Sequence, residues 1–148
     1  MGIDFYFHKF DKQGSYFDGE PSIQKDLPVG ECIYEERQTH SQAWFWSFYT
    51  TRHPMIYGRV YYHNGKDELD DTFYTEIPKE QLMVCAFKLD QVINGDSHPL
   101  EEFPEPRWKY SEKYDYSLET FKRFRAVVQD LITECRQSGR PLLFHVWA

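Results

Sequence analysis

The residues of this chain that could do chemistry are its carboxylates, histidines and cysteines, and their spacing limits which sites they can form. The densest acidic group is a run of four carboxylates, Asp67, Glu68, Asp70 and Asp71. A calcium loop needs oxygen ligands at alternating positions, a central glycine and a closing glutamate, and this run lacks that pattern. We therefore predict no metal site, and we interpret the run as a solvated loop or as a patch that faces a basic partner.

Histidine and cysteine bind zinc and serve in nucleophilic catalysis. The six histidines never lie three or four residues apart, and the three cysteines contain no CxxC pair. Cys32 with His40 or His53 is the only thiol–imidazole combination worth naming, and no flanking motif supports it. We predict no catalytic residue, and we expect Cys32, Cys85 and Cys135 to be buried structural thiols in a reducing compartment.

Cofactor binding has no recognisable motif in this chain. The eight glycines are scattered, so neither type of glycine-rich nucleotide loop occurs. The nearest feature, residues 14–19, is followed by Glu20 and Pro21 rather than by a basic residue that opens a helix. We predict no cofactor.

Aromatic residues make up 18% of the chain and are densest at residues 43–49. A bulky core is one explanation, and a contact surface is the other, because Trp and Tyr concentrate at interface hot spots. With the acidic run, these side chains form the candidate partner-binding set: Asp67, Glu68, Asp70, Asp71, Trp44, Trp46 and Tyr61.

The net charge of −7 is unevenly distributed. Residues 1–100 hold 9 basic and 16 acidic residues, whereas residues 101–148 hold 8 of each. Nucleic-acid binding proteins depend on clustered Lys and Arg, so we predict no direct nucleic-acid partner. A protein with a basic surface would be attracted instead. The alternative explanation is that this modest acidity only keeps the protein soluble.

Length and hydropathy favour one domain spanning residues 1–148. No stretch approaches the roughly 20 apolar residues that cross a bilayer, and residues 1–10 lack the pattern of a secretory signal. We expect a cytoplasmic protein with no membrane partner.

Alternating, β-branched and aromatic runs predict five strands, at residues 3–10, 32–36, 55–62, 71–77 and 142–147. Residues 142–147 are apolar enough for a central strand. Residues 11–30, rich in Gly and Pro, predict a loop, and residues 43–49 fit a strand or a short helix equally well.

Helical spacing predicts two main helices. The first begins with Pro78 at its first helical position and ends at Asn94-Gly95. The second has Ser117 as its N-cap and ends at Gly139. Its predicted apolar face comprises Leu118, Phe121, Phe124, Val128, Leu131, Ile132 and Cys135.

Because the strands are bunched apart from the helices, the order of elements predicts an α+β domain. Its sheet is expected to be mostly antiparallel, with the two main helices packed on one face. Residues 96–116, which contain three prolines, predict an irregular excursion between the helices.

The opening Met1-Gly2-Ile3-Asp4-Phe5-Tyr6 resembles the start of small phage and bacterial proteins of unknown function that begin Met-Gly-Leu-Asp-x-Tyr. This resemblance implies a bacterial or phage setting. It carries over no site residue.

Acidic, aromatic-rich composition without catalytic motifs favours a small protein that blocks a partner's surface. An immunity protein against a toxin is the most concrete form, and a phage-type inhibitor of a host system is the next. Two alternatives stay open: a small enzyme whose site assembles from distant residues, and a structural or assembly component.

Overall fold

A computed structural model describes residues 4–10, 29–37, 60–62, 73–104 and 114–147. Within these ranges five strands form one sheet. They are β1 (Asp4–Phe10), β2 (Val29–Glu36), β3 (Val60–Tyr62), β4 (Phe73–Ile77) and β5 (Leu142–Trp147). The predicted alternative at residues 43–49 lies outside the described residues.

The strand order is β2-β1-β5-β4-β3, and all four neighbouring pairs are antiparallel. β5 lies between β1 and β4, so its predicted central position is confirmed. Central placement suits a strand that is apolar at consecutive positions, and Leu142, Leu143 and Phe144 are each at most 1% exposed. β2 begins at Val29, earlier than predicted, so Val29 and Gly30 belong to the sheet rather than to the preceding loop.

Three helices are described: α1 (Lys79–Ile93), α2 (Pro99–Glu102) and α3 (Leu118–Ser138). The single turn α2 lies in the segment predicted to be irregular. Its N-cap is His98, whose Nδ1 accepts a hydrogen bond from the backbone N–H of Leu100 at 3.2 Å. A proline at the first helical position and a side-chain cap together stabilise this turn.

Helix α1 begins one residue later than predicted. Pro78 is its N-cap in an extended conformation, with φ −74° and ψ 159°, and its carbonyl accepts the backbone N–H of Leu82 at 3.3 Å. The predicted end is confirmed: the N–H of Asn94 bonds to the carbonyl of Asp90 at 2.9 Å. Gly95 then turns the chain with a φ of 80°, which glycine adopts without a steric penalty.

Both predicted ends of α3 are confirmed. The Ser117 hydroxyl accepts the backbone N–H of Thr120 at 3.3 Å, and Gly139 ends the helix with a φ of 68°. Asp115 reinforces the cap, because its Oδ2 accepts the Thr120 hydroxyl at 2.6 Å. The predicted apolar face is buried with one exception. Leu118 is 51% exposed, because in this first turn Phe121 occupies the core position.

The core lies between one face of the sheet and the helices. Phe5 and Phe7 of β1 and Phe144 of β5 are fully buried, and the rings of Phe7 and Phe144 lie 5.0 Å apart. They pack against buried residues of α1 and α3 in one cluster. Each large side chain buried in this way stabilises the fold by roughly 1.5–3 kcal/mol. The predicted α+β class, a mostly antiparallel sheet with two main helices on one face, is confirmed.

Candidate functional site

An irregularity in β2 shapes the surface beside α3. Phe7 of β1 pairs with Tyr34, but the next residue, His8, pairs with Cys32. Ile33 is therefore an extra residue in the ladder, which is a β-bulge, and bulges re-aim side chains at sheet edges. As a result the consecutive residues Ile33 and Tyr34 both line the same concavity, although neighbours in a regular strand point to opposite faces.

This concavity, called here the β2–α3 groove, has a volume of about 280 Å³. Its lining residues are Ile33, Tyr34, Val127, Asp130, Leu131, Thr133, Glu134 and Gln137. On α3 they recur at spacings of three and four residues, which places them along one flank of the helix. Val127 and Leu131 continue the apolar core outward, whereas Asp130 and Glu134 place carboxylates beside them.

Tyr34 is one of three hydrogen-bonded residues at the edge of the groove, together with Glu36 and Arg123. The Tyr34 hydroxyl donates to Oε2 of Glu36 at 2.7 Å, and Nη1 of Arg123 donates to the same oxygen at 2.9 Å. Burial, and then the Glu36 carboxylate, raise the pKa of Tyr34, so this hydroxyl stays protonated at neutral pH. The Arg123 guanidinium also lies 4.5 Å from the centre of the Phe124 ring, a cation–π distance. The hydrogen bonds to Glu36 hold the Tyr34 side chain in place.

Carboxylates dominate around Glu134. Nζ of Lys9 lies 3.3 Å from Oε2 of Glu134 and 3.9 Å from Oε2 of Glu31. With Asp130 also on the groove lining, this side of α3 carries two carboxylates. The groove thus combines an apolar wall with a negatively charged rim.

The thiols divide into two environments. Cys85 and Cys135 are buried, as predicted, and burial raises the pKa of Cys135 to about 11. Cys32, predicted to be buried, is exposed on β2, because the bulge turns it away from the core side of the sheet. Partial burial of its sulfur raises its pKa despite the contact from Sγ to the Tyr34 carbonyl at 3.4 Å.

Thiol catalysis at Cys32 is disfavoured by its neighbours. An activated nucleophile needs a lowered pKa, whereas the pKa of Cys32 is raised. Its cross-strand partner is His8, and burial lowers the pKa of that imidazole. Both groups are therefore neutral at pH 7. His40 and His53, the predicted alternatives, lie outside the described residues.

The predicted partner-binding residues are mostly outside the described ranges: Asp67, Glu68, Asp70, Asp71, Trp44 and Trp46. Tyr61 lies in β3, where it pairs with Tyr74 of β4. Sequence reasoning missed the β2–α3 groove because its two walls, at residues 33–34 and 127–137, are almost a hundred residues apart. One signal was present: Asp130 and Glu134 are spaced to share a side of the helix that carries Val127 and Leu131.

The described ranges contain neither a group of potential metal ligands nor a helix that could span a membrane. In these ranges no three His, Cys, Asp or Glu side chains are grouped to hold a metal ion. No helix in them is both long and apolar enough to cross a bilayer.

Comparison of the chain with protein-family models, curated proteins and solved structures gives no match.

Proposed function

We propose that this protein binds another protein through the β2–α3 groove and acts by occupying that partner's surface. The supporting observation is the groove itself: an apolar wall of Ile33, Val127 and Leu131 beside the carboxylates of Asp130 and Glu134. A lysine or arginine has the complementary shape, with an apolar stem and a charged head. We infer that the partner inserts such a side chain.

The size of the groove favours a macromolecular partner. Pockets for small molecules typically enclose about 300–1,000 Å³ and bury most of the ligand. At about 280 Å³ the groove lies at the lower limit of that range, a volume that suits one or two side chains of a larger partner. The rest of the contact would then spread over the neighbouring surface.

Net charge supports the same partner chemistry. A chain of net charge −7 attracts a basic protein before contact and accelerates the encounter. The most concrete form of the proposal is an immunity protein that blocks a basic toxin in a bacterial cytoplasm. A phage-type inhibitor of a host system is the next. The acidic run at residues 67–71, with Trp44, Trp46 and Tyr61, is proposed as a second contact, because Tyr61 lies on β3, at the edge of the sheet opposite β2.

Co-purification from a native bacterial host, followed by mass spectrometry, tests this proposal. The test variant is Asp130→Asn with Glu134→Gln, and its matched control is Glu119→Gln with Glu80→Gln, the same charge change at exposed positions elsewhere. We expect a basic partner with the wild-type protein and the control. Association with the test variant should be about tenfold slower at low salt, because rim charges act mainly on the association rate.

A second control addresses the apolar surface of α1, where Phe87 is 63% exposed. Phe87→Ala should leave the partner's affinity unchanged, whereas Val127→Asp should lower it at least tenfold. If Phe87→Ala lost binding while the groove variants kept it, the docking surface would lie on α1 instead. Recovery of the protein alone at every salt concentration would overturn the proposal.

A further inference from the structure

The position of β2 in the sheet determines what can bind beside the groove. β2 is the terminal strand in the order β2-β1-β5-β4-β3, and no residue of the described ranges pairs with its outer edge. Its eight residues extend over roughly 26 Å at about 3.3 Å per residue. An edge of this length presents backbone N–H and C=O groups that a further strand can bind.

We propose that the partner contributes an extended basic segment, which adds to β2 as a sixth strand beside the groove. This inference rests on the function proposed above and specifies how the partner is held. In an added strand, alternate side chains point towards the helix side of the sheet. That side carries Ile33 and Tyr34 of the groove wall, so every second side chain of the segment is directed towards α3.

The charges around β2 select for a basic segment. Glu31, Glu35 and Glu36 lie on β2 itself, and Asp130 and Glu134 lie across the groove. These five carboxylates outnumber the three cations that pair with four of them, Lys9, Arg37 and Arg123, so the described residues leave this edge negatively charged. Like charges opposite each other destabilise strand pairing, whereas opposite charges stabilise it. A second copy of β2 or an acidic strand is therefore repelled from this edge.

The bulge at Ile33 is consistent with the same selectivity. Bulges and charged residues are common devices that prevent unwanted pairing at sheet edges. Here the bulge also moves an apolar side chain into the groove. The edge thus opposes unspecific pairing by apolar strands but offers a specific contact to a strand with matching side chains.

Synthetic peptides test this mode of binding. The probe is acetyl-Lys-Val-Lys-Val-Lys-Val-amide, and its charge control replaces each lysine with glutamate. Two further versions carry N-methyl groups on residues 1, 3 and 5 or on residues 2, 4 and 6. In an extended strand alternate N–H groups point to the same edge, so each version blocks one edge only.

We expect the basic probe to bind and to protect backbone amides of β2 from hydrogen exchange. One N-methylated version should keep the affinity of the parent, while the other should lose it at least tenfold. The glutamate control should not bind. Equal binding by both N-methylated versions, or no binding by the parent probe, overturns strand addition.

The experiment separates the two proposals. Failure of the probe, while Asp130→Asn with Glu134→Gln still slows association with the co-purified partner, overturns strand addition alone. Failure of both tests overturns the groove as well. Full protection of the outer-edge amides of β2 in the free protein would show that its own chain covers this edge, and would also overturn the inference.

Discussion

Helix α3 has two flanks that face different neighbours, and they are closed to different degrees. On the side of α1, Arg125 donates two hydrogen bonds to the Asp90 carboxylate, at 2.8 and 3.4 Å, and Ile132 is 3% exposed. On the side of β2, Val127 is only partly buried, and the groove remains open beside it.

The two flanks differ because the layer of helices formed by α1 and α3 ends at α3 on the side of β2. α1 and α3 pack side by side over the sheet, so the flank that each turns to the other is closed by a second helix. Beyond β2 no described element continues the layer. Among the described elements, the outer flank of α3 therefore meets the sheet edge alone, where the apolar core reaches the surface next to carboxylates. A binding surface is expected at such a border because apolar contact and charge are available together.

The largest expected effect is a difference in stability between variants of the two flanks. Ile132→Ala, on the closed flank, should lower the free energy of unfolding by about 2–5 kcal/mol. Val127→Ala, on the groove flank, should cost roughly 1 kcal/mol or less, because its methyl groups are only partly removed from water. Urea unfolding of both variants measures this difference. Equal losses would show that the groove flank is as closed as the other.

Ser117→Ala weakens the whole helix and serves as a reference for both flanks. Removal of this N-cap should cost about 1 kcal/mol. Because the cap stabilises α3 as a unit, hydrogen exchange should accelerate alike at the amides of Val127 and Val128. Faster exchange on the groove side alone would mean that the flanks open independently. Ser138→Ala, at the other end of α3, is the matched control.

Double-mutant cycles compare the ion pairs of the two flanks. The pair Arg125–Asp90 should have a coupling energy of about 0.5 kcal/mol, typical of partly exposed pairs. Lys9–Glu134, with one contact at 3.3 Å, should couple more weakly. Both couplings should shrink in 1 M NaCl, because salt screens exposed charges. A stronger coupling at Lys9–Glu134 would show that the flank facing β2 is better ordered than the flank facing α1.

The smallest expected effect is a pH dependence at the start of α3. Partial burial raises the pKa of Asp115, but hydrogen bonds from the Thr120 hydroxyl and the Ser117 backbone N–H lower it more, so the net shift is downward. A carboxylate with a lowered folded-state pKa stabilises the fold above its unfolded pKa of about 3.9. This contribution is lost as the pH falls through the folded-state value.

Asp115→Asn should therefore lower stability at pH 7 and leave it nearly unchanged near pH 2. Unfolding at both pH values measures the contrast, with the exposed Asp96→Asn as the control. A deficit of the same size at pH 2 would show that the Asp115 charge does not stabilise the cap.

The sequence by itself determined the parts of this protein that depend on neighbouring residues. Ser117 and Gly139 defined α3, because capping and positive φ are local requirements, and the alternation along residues 3–10 predicted the strand β1. Tertiary structure decided the start of β2 at Val29, the exposure of Cys32 and the one-turn helix α2. It also decided the groove, because an extra residue at Ile33 becomes a bulge only against β1, and Val127 and Tyr34 line one concavity only when the chain is folded.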